Sequence, residues 1–354
     1  STDFNNQGVV AAQAGRLGEG VELLRQALAA NPDDGTAKRN LSGVLTDWAR
    51  ALDGAGRVEE ALAALREAVA LHPDNGVGWL LLGDTLHARH GDALEALDAW
   101  QQAHRRVSAG LKPAVENRIT AAKRDQLIER GFADRRTPHF TIRFQASRPV
   151  DPAVLEQLLE QHYERLTGEL GRGPAQLSVV VYSEEDLRRV YGQRDWAIGL
   201  YDGRIRLRVD DLMLGILPDV VGHELAHAFL FHLYGARVPI WAHEGYAQLK
   251  EQPPPATPEL ERIRQGLRDR TMWVPLKWLD RRFQQPSGVE DIQRAYAQAR
   301  VAVEAIVRRH GVPRFKQFLE RLSNRETVEA AYEAAFPPSR WAQIDQGALP
   351  CRTA

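Results

Sequence analysis

The stretch VVGHELAHAFLFHLYGARVPIWAHEGYAQLKE, residues 220–251, carries four histidines and three glutamates in two short apolar runs. At about 100° per residue, His223 and His227 fall one turn apart on one face of a helix, so both imidazoles reach the same ion. Glu224 sits beside them, offset round the helix. From there it can hold a water on that ion without being a ligand. Two histidines do not complete a catalytic zinc site, which takes three protein ligands and leaves a position for water. The third candidate is Glu244, 17 residues after His227.

The surrounding residues favour that arrangement. Val220, Val221, Leu225, Phe229 and Leu230 seat the first helix, about 219–234, in a core, with Asp219 after Pro218 as its expected cap. The segment FLFHLYGARVPI finishes that helix, turns at Gly235 and starts a second at about Pro239. Gly245 removes bulk where the helices are expected to cross, and Trp241 and Tyr246 are expected to wall the site. The bland alternatives are two satisfied core histidines with a capping glutamate, or a zinc site without activity.

Working outward, the chain before this stretch changes period twice. HFTIRFQ (139–145) and QLSVVVYS (176–183) read as strands. Between them VDPAVLEQLLEQHYERLTGELG reads as a helix with Asp151 ahead of Pro152 at its start. AIGLYDGRIRLRVDD (197–211) contains an Asp202-Gly203 hairpin signal followed by alternation. Its Arg204, Arg206 and Arg208 fall on one face. An exposed strand edge at 203–209 is a candidate bed for an extended substrate, with acidic preference; a solvated strand face is the simpler reading. The run KRDQLIERGFADRR (123–136) reads as a solvated helix face. Helices fill the rest to about residue 345.

The first hundred residues repeat. Pro32 and Pro73, 41 residues apart, each end a helical pattern. Aligned on them, Gly15, Gly20, Leu24 and Ala27 match Gly56, Ala61, Leu65 and Ala68. A third unit supplies Trp79, Leu82, Gly83, Leu86, Ala96, Trp100 and Ala103, with one residue inserted before Gly91. Small residues let antiparallel helices approach, and large ones fill the gap to the next pair. No single pair buries its apolar face alone. The pattern resembles the tetratricopeptide repeat over residues 1 to about 106, with a second unit longer than the usual length of about 34 residues. That resemblance implies a concave surface for a peptide or protein partner.

Composition excludes several classes. Forty-six basic and 47 acidic residues leave a net charge of −1, which favours neither nucleic acid nor an anionic membrane. The single cysteine, Cys351, excludes an internal disulfide framework and a cysteine-based zinc finger. No apolar run reaches the roughly 18 residues that span a bilayer. The chain opens STDFNNQG, without Met. The compartment is left open, with a lean to the periplasm or secretion after loss of a leader.

Residues 138–345 resemble the gluzincin metallopeptidases, specifically the peptidase-MA-like group, through His223, Glu224, His227 and the EGYA of 244–247. The two strands and WAIGLYDGRIRL also fit that group. The resemblance implies one zinc ion held by His223, His227 and Glu244, with Glu224 as general base. It also implies an oxyanion donor downstream of the third ligand, with Tyr296 in RAYAQARVAVEAI as first candidate and His243 as the rival. The G-x-M-E-N run that grips a free amine in aminopeptidase N is absent, which favours an endopeptidase. The expected organisation is a multidomain chain. An all-α repeat solenoid (1–108) and a linker helix (109–137) precede an α+β zincin-like domain (138–345) and a tail (346–354). The expected function is hydrolysis of a peptide or protein substrate recruited or gated by the repeats. The alternative is a repeat scaffold with an inactive metal-binding domain.

Overall fold

The computed structural model describes residues 2–55, 57–87, 93–145, 151–191, 199–201, 203–208, 215–251 and 258–347. Expectations for Gly56, Gly91, Asp202 and Cys351 lie outside the described residues. The chain divides into two compact units. The first holds residues 1–148, 176–195 and 202–204; the second holds 149–175, 196–201 and 205–354.

The first unit begins with three antiparallel helix pairs: α1 (Thr2–Gln13) with α2 (Leu17–Ala30), α3 (Gly35–Gly54) with α4 (Val58–Leu71), and α5 (Gly76–Thr85) with α6 (Ala93–Arg106). The expected small positions are buried: Ala27, Ala61, Ala68, Ala96 and Ala103 are all fully covered. Leu24, Leu65, Leu82 and Trp100 fill the gaps between them. A Cβ on Gly20 would lie 2.9 Å from the Gly8 carbonyl oxygen, so this helix pair depends on a bare backbone. The turns are closed by side chains. Asp34 accepts from the Thr36 and Ala37 amides, and Asn75 accepts from Gly78 N while donating to Ser42 Oγ (2.8 Å) and Thr46 Oγ1 (2.9 Å).

Helix α7 (Lys112–Ile128) continues the array, and its Val115 and Ala122 join the same core. The expected solvated helix face at 123–136 is corrected here. The helix stops at Ile128, and β1 (Ala133–Arg136) pairs antiparallel with β2 (Phe140–Phe144). Asp125 and Glu129 are buried, at 2% and 6% exposure. Glu129 accepts from Arg204 (2.7 Å) and Arg143 (3.1 Å), and from the Tyr182 hydroxyl. β2 runs parallel to β3 (Leu177–Tyr182), which makes a small mixed sheet. Ile128, Phe132, Val180, Tyr182 and Leu187 of α9 (Glu184–Tyr191) form a satellite core.

Arg204 and Arg206 are each only 1% exposed. The expected arginine face on an open strand edge is therefore corrected: two of its three members are inside the protein, and Arg204 serves Glu129 and Asp125. Burying an arginine demands such partners, because an unpaired charge out of water is far too costly.

The second unit contains α8 (Pro152–Leu170), the hairpin of β4 (Gly199–Tyr201) and β5 (Ile205–Arg208), and a run of helices. Asp151 caps α8, as expected, by accepting from Ala153 N at 2.9 Å. The run comprises α10 (Leu217–Tyr234), α11 (Ile240–Gln248), α12 (Pro258–Arg268), α13 (Leu276–Gln284), α14 (Val289–Ser323), α15 (Val328–Ala335) and α16 (Trp341–Asp345). Helix α14 breaks at Gly311, whose φ of 79° suits glycine, just before Pro313. Phe229, Trp241, Tyr246, Phe315, Phe318, Tyr332 and Phe336 make an aromatic core. Among the described residues no helix is long and apolar enough to cross a membrane.

Candidate metal centre

Two helices and a turn bring the site together. Helix α10 is apolar nearly all round and buries Val221, Leu225, Phe229 and Leu230, which leaves His223 and His227 on one face. Asp219 does not cap it. The helix starts at Leu217, so Asp219 falls in the first turn, where its charge still suits the positive end of the helix dipole. A single-turn 3-10 segment at 235–237 reverses the chain, and Gly235 takes φ 74°.

Helix α11 then returns with Glu244. Its own start is held by Asp280 of α13, whose carboxylate accepts from Ile240 N (3.1 Å) and Trp241 N (2.9 Å). Gly245 does relieve crowding, but against α14: an added Cβ would sit 2.3 Å from the Ala299 carbonyl oxygen. Trp241 and Tyr246 do not wall the site as expected. Trp241 packs on Phe318 and Trp341, and Tyr246 stacks on Phe315 and donates to Glu169 Oε2 at 3.0 Å.

The three expected ligands converge. His223 Nε2 and His227 Nε2 are 3.0 Å apart, and Glu244 Oε2 lies 3.4 Å from His227 Nε2 and 3.7 Å from His223 Nε2. Donors placed about 2.0–2.2 Å from a tetrahedral zinc stand about 3.4 Å from one another. The triangle thus fits that ion. Among the described residues buried Glu244 Oε2 has no well-formed hydrogen bond, only the two imidazole nitrogens at 3.4 and 3.7 Å, a position that suits a carboxylate meeting a cation. Two imidazole nitrogens and one carboxylate are the donor set that zinc favours.

Glu224, 4% exposed, is near enough for His223, His227 and Glu244 all to shift its ionisation, and among the described residues its Oε2 has no hydrogen-bond partner. Burial pushes its carboxyl above the usual range. The two imidazoles oppose that shift, and Glu244 and Glu251 add to it. Glu244 is held low: burial works against ionisation, but the charges of His227 and His223 outweigh it.

Both oxyanion candidates are near. Tyr296, on α14, is pushed above its ordinary range by burial and by the charges of Glu244, Glu224 and Glu251, so it keeps its proton and stays a donor. Its ring meets Phe283 edge-on, and its carbonyl accepts from Gln248 Nε2 at 2.9 Å. His243 stacks on His227, with ring centroids 5.8 Å apart. Burial and the neighbouring His227 lower it to about 3, which keeps it neutral. His232 belongs to a ring cluster with Tyr201 and Phe231, and His310 lies against Phe336.

One member of the site falls outside the motif. Glu251 Oε1 is hydrogen-bonded to His223 Nδ1. It lies three residues beyond the end of α11 at Gln248, in a turn rather than on the helix, so helical spacing from Glu244 does not point to it.

A family profile described as tetratricopeptide repeat matches residues 5–45 and 46–110. The N-terminal helix pairs are therefore a tetratricopeptide array. No curated protein matches the chain.

Proposed function

We propose that the protein is a zinc-dependent peptidase, an endopeptidase by preference, whose repeat array recruits or gates its substrate. The observation that carries this reading is the triangle of His223, His227 and Glu244 donors together with the buried Glu224 carboxylate whose ionisation they shift. Zinc bound there would polarise the scissile carbonyl and bring the pKa of a water down towards about 7.

The chain's own groups do the rest. Glu224, raised by burial, accepts a proton from the attacking water and returns it to the leaving amine. Tyr296 keeps its proton and donates to the oxygen that gains charge in the transition state. His243, neutral and stacked on His227, flanks the ligands and remains the rival donor. Tetratricopeptide arrays point to protein partners, which suits a polypeptide substrate.

A scaffold with an inactive metal domain is the second reading, favoured by a family match confined to the repeats. Turnover separates the two. A denatured protein or peptide library should be cleaved by the purified chain, with activity lost to a chelator and restored by zinc. Absence of cleavage by fully zinc-loaded protein would leave the scaffold.

A further inference from the structure

The chain leaves α11 through a tight turn. Lys250 N donates to Ala247 O (2.9 Å) and Glu251 N to Gln248 O (3.4 Å). That turn lies directly on α10, one residue before the first histidine. A Cβ on Gly222 would come within 3.0 Å of the Lys250 carbonyl oxygen and 2.9 Å of His162 Cε1. The glycine thus lets the turn settle where Glu251 meets His223 Nδ1.

A second contact holds the same turn from the other side. The Lys250 ammonium is paired with Glu169 of α8 and lies 4.3 Å above the Tyr246 ring. Tyr246 Oη donates to the same Glu169 carboxylate at 3.0 Å. The Lys250 side chain is only 7% exposed. Adjacent residues therefore do two separate things: Lys250 ties the turn to α8, and Glu251 is presented to the imidazole.

A histidine that binds an ion through one nitrogen needs its other N–H placed. A carboxylate on that N–H sets the tautomer, fixes the ring's rotation and makes the ligating nitrogen more basic. With an ion on Nε2, the proton stays on Nδ1 and is donated to Glu251, while Nε2 faces His227 and Glu244. We infer that Glu251 is a positioning residue for a metal ion held by His223, His227 and Glu244, and that the Lys250–Glu169–Tyr246 contact keeps it in place. The inference rests on the metal-site reading above.

Zinc affinity tests it, measured by competition with a chromophoric chelator on the full chain, beside 15N spectra of the His223 imidazole. Glu251→Ala should weaken zinc binding about 10- to 100-fold and turn a single His223 tautomer into a mixture. Glu251→Gln keeps an acceptor without the charge and should fall between. Lys250→Met, which touches neither the ion nor His223, should weaken binding in the same direction by a smaller factor. If Glu251→Ala does not fold, the other two variants carry the test. Parental affinity and an unchanged tautomer in the folded Glu251 variants would overturn the inference alone. A parent chain that binds no zinc would overturn the site reading and the inference with it.

Discussion

Asn75, at the N-cap of α5 in the repeat array, and Glu244, midway along α11 in the second unit, are both polar side chains that face neighbouring helices, and they end differently. The Asn75 side chain makes four bonds inside the protein: it caps α5 at Gly78 N and donates to Ser42 Oγ, the Ser42 carbonyl and Thr46 Oγ1. Glu244 turns its buried Oε2 towards two imidazole nitrogens and makes no well-formed hydrogen bond there. The first residue is satisfied within the fold, whereas the second faces two imidazoles at ligand-like spacing, as the proposed metal site requires. Close backbone approach occurs in both units and differs in kind from pair to pair: Gly20 of the array meets the Gly8 carbonyl, but other glycines meet side chains. In the array Gly83 faces a side chain, Trp100, with Cδ1 2.5 Å from an added Cβ; in the second unit Gly245 faces the carbonyl of Ala299. A ring can swing aside, but a helix backbone moves only with its helix.

The largest expected effect separates chemistry from binding. Glu224→Gln should lower kcat/KM for peptide cleavage by about 10³-fold, near the middle of the range for a general base, with zinc content unchanged. Cleavage at the parent rate would remove Glu224 from that role. Next comes packing around the ligands. Gly245→Ala should destabilise by about 2–3 kcal/mol, because the Cβ meets backbone, and a calorimetric melt reads that directly. Asn75→Ala should cost about 1–2 kcal/mol in the same measurement, through loss of the cap and its two side-chain bonds, without touching zinc affinity. Gly83→Ala should cost about 1 kcal/mol, because the Cβ crowds the buried Trp100 ring that Asp84 holds, and the gain in helix propensity offsets only part of that. If the two glycine variants fall together, the contrast between backbone and side-chain contact is wrong.

The smallest effect is in pH. Burial, with the nearby Arg165 charge, holds His162 below its ordinary pKa. The unfolded chain therefore binds a proton that the folded chain refuses. The stability this neutral histidine contributes is complete above about pH 6.5 and falls as pH drops towards its lower folded value. His162→Gln should flatten the slope of melting temperature against pH below about 6.5. An unchanged slope would mean His162 is not the group responsible.

Much of this was legible in residue spacing. The helix pairs follow from small and large residues recurring around Pro32 and Pro73, a pattern set by local packing. His223, His227 and Glu244 follow from helical period and a short connection. Long-range burial was less legible. Arg204 and Arg206 alternate as a solvated strand would, yet both are buried, and for Arg204 the countercharge comes from Glu129, 75 residues away. β1 has a polar sequence, ADRR, and exists as a strand through its pairing with β2 rather than through its own pattern. Glu251 was missed for a related reason. Its role depends on where a turn settles against Gly222, and that contact is invisible to the motif.

Metal content of the purified chain, beside that of His223→Ala, His227→Ala and Glu244→Ala, tests the central claim most directly. About one zinc ion per parent chain, and well under a tenth of that in each folded variant after dialysis, is the predicted result. A parent that stays metal-free in excess zinc, or variants that retain the ion in full, would contradict the account.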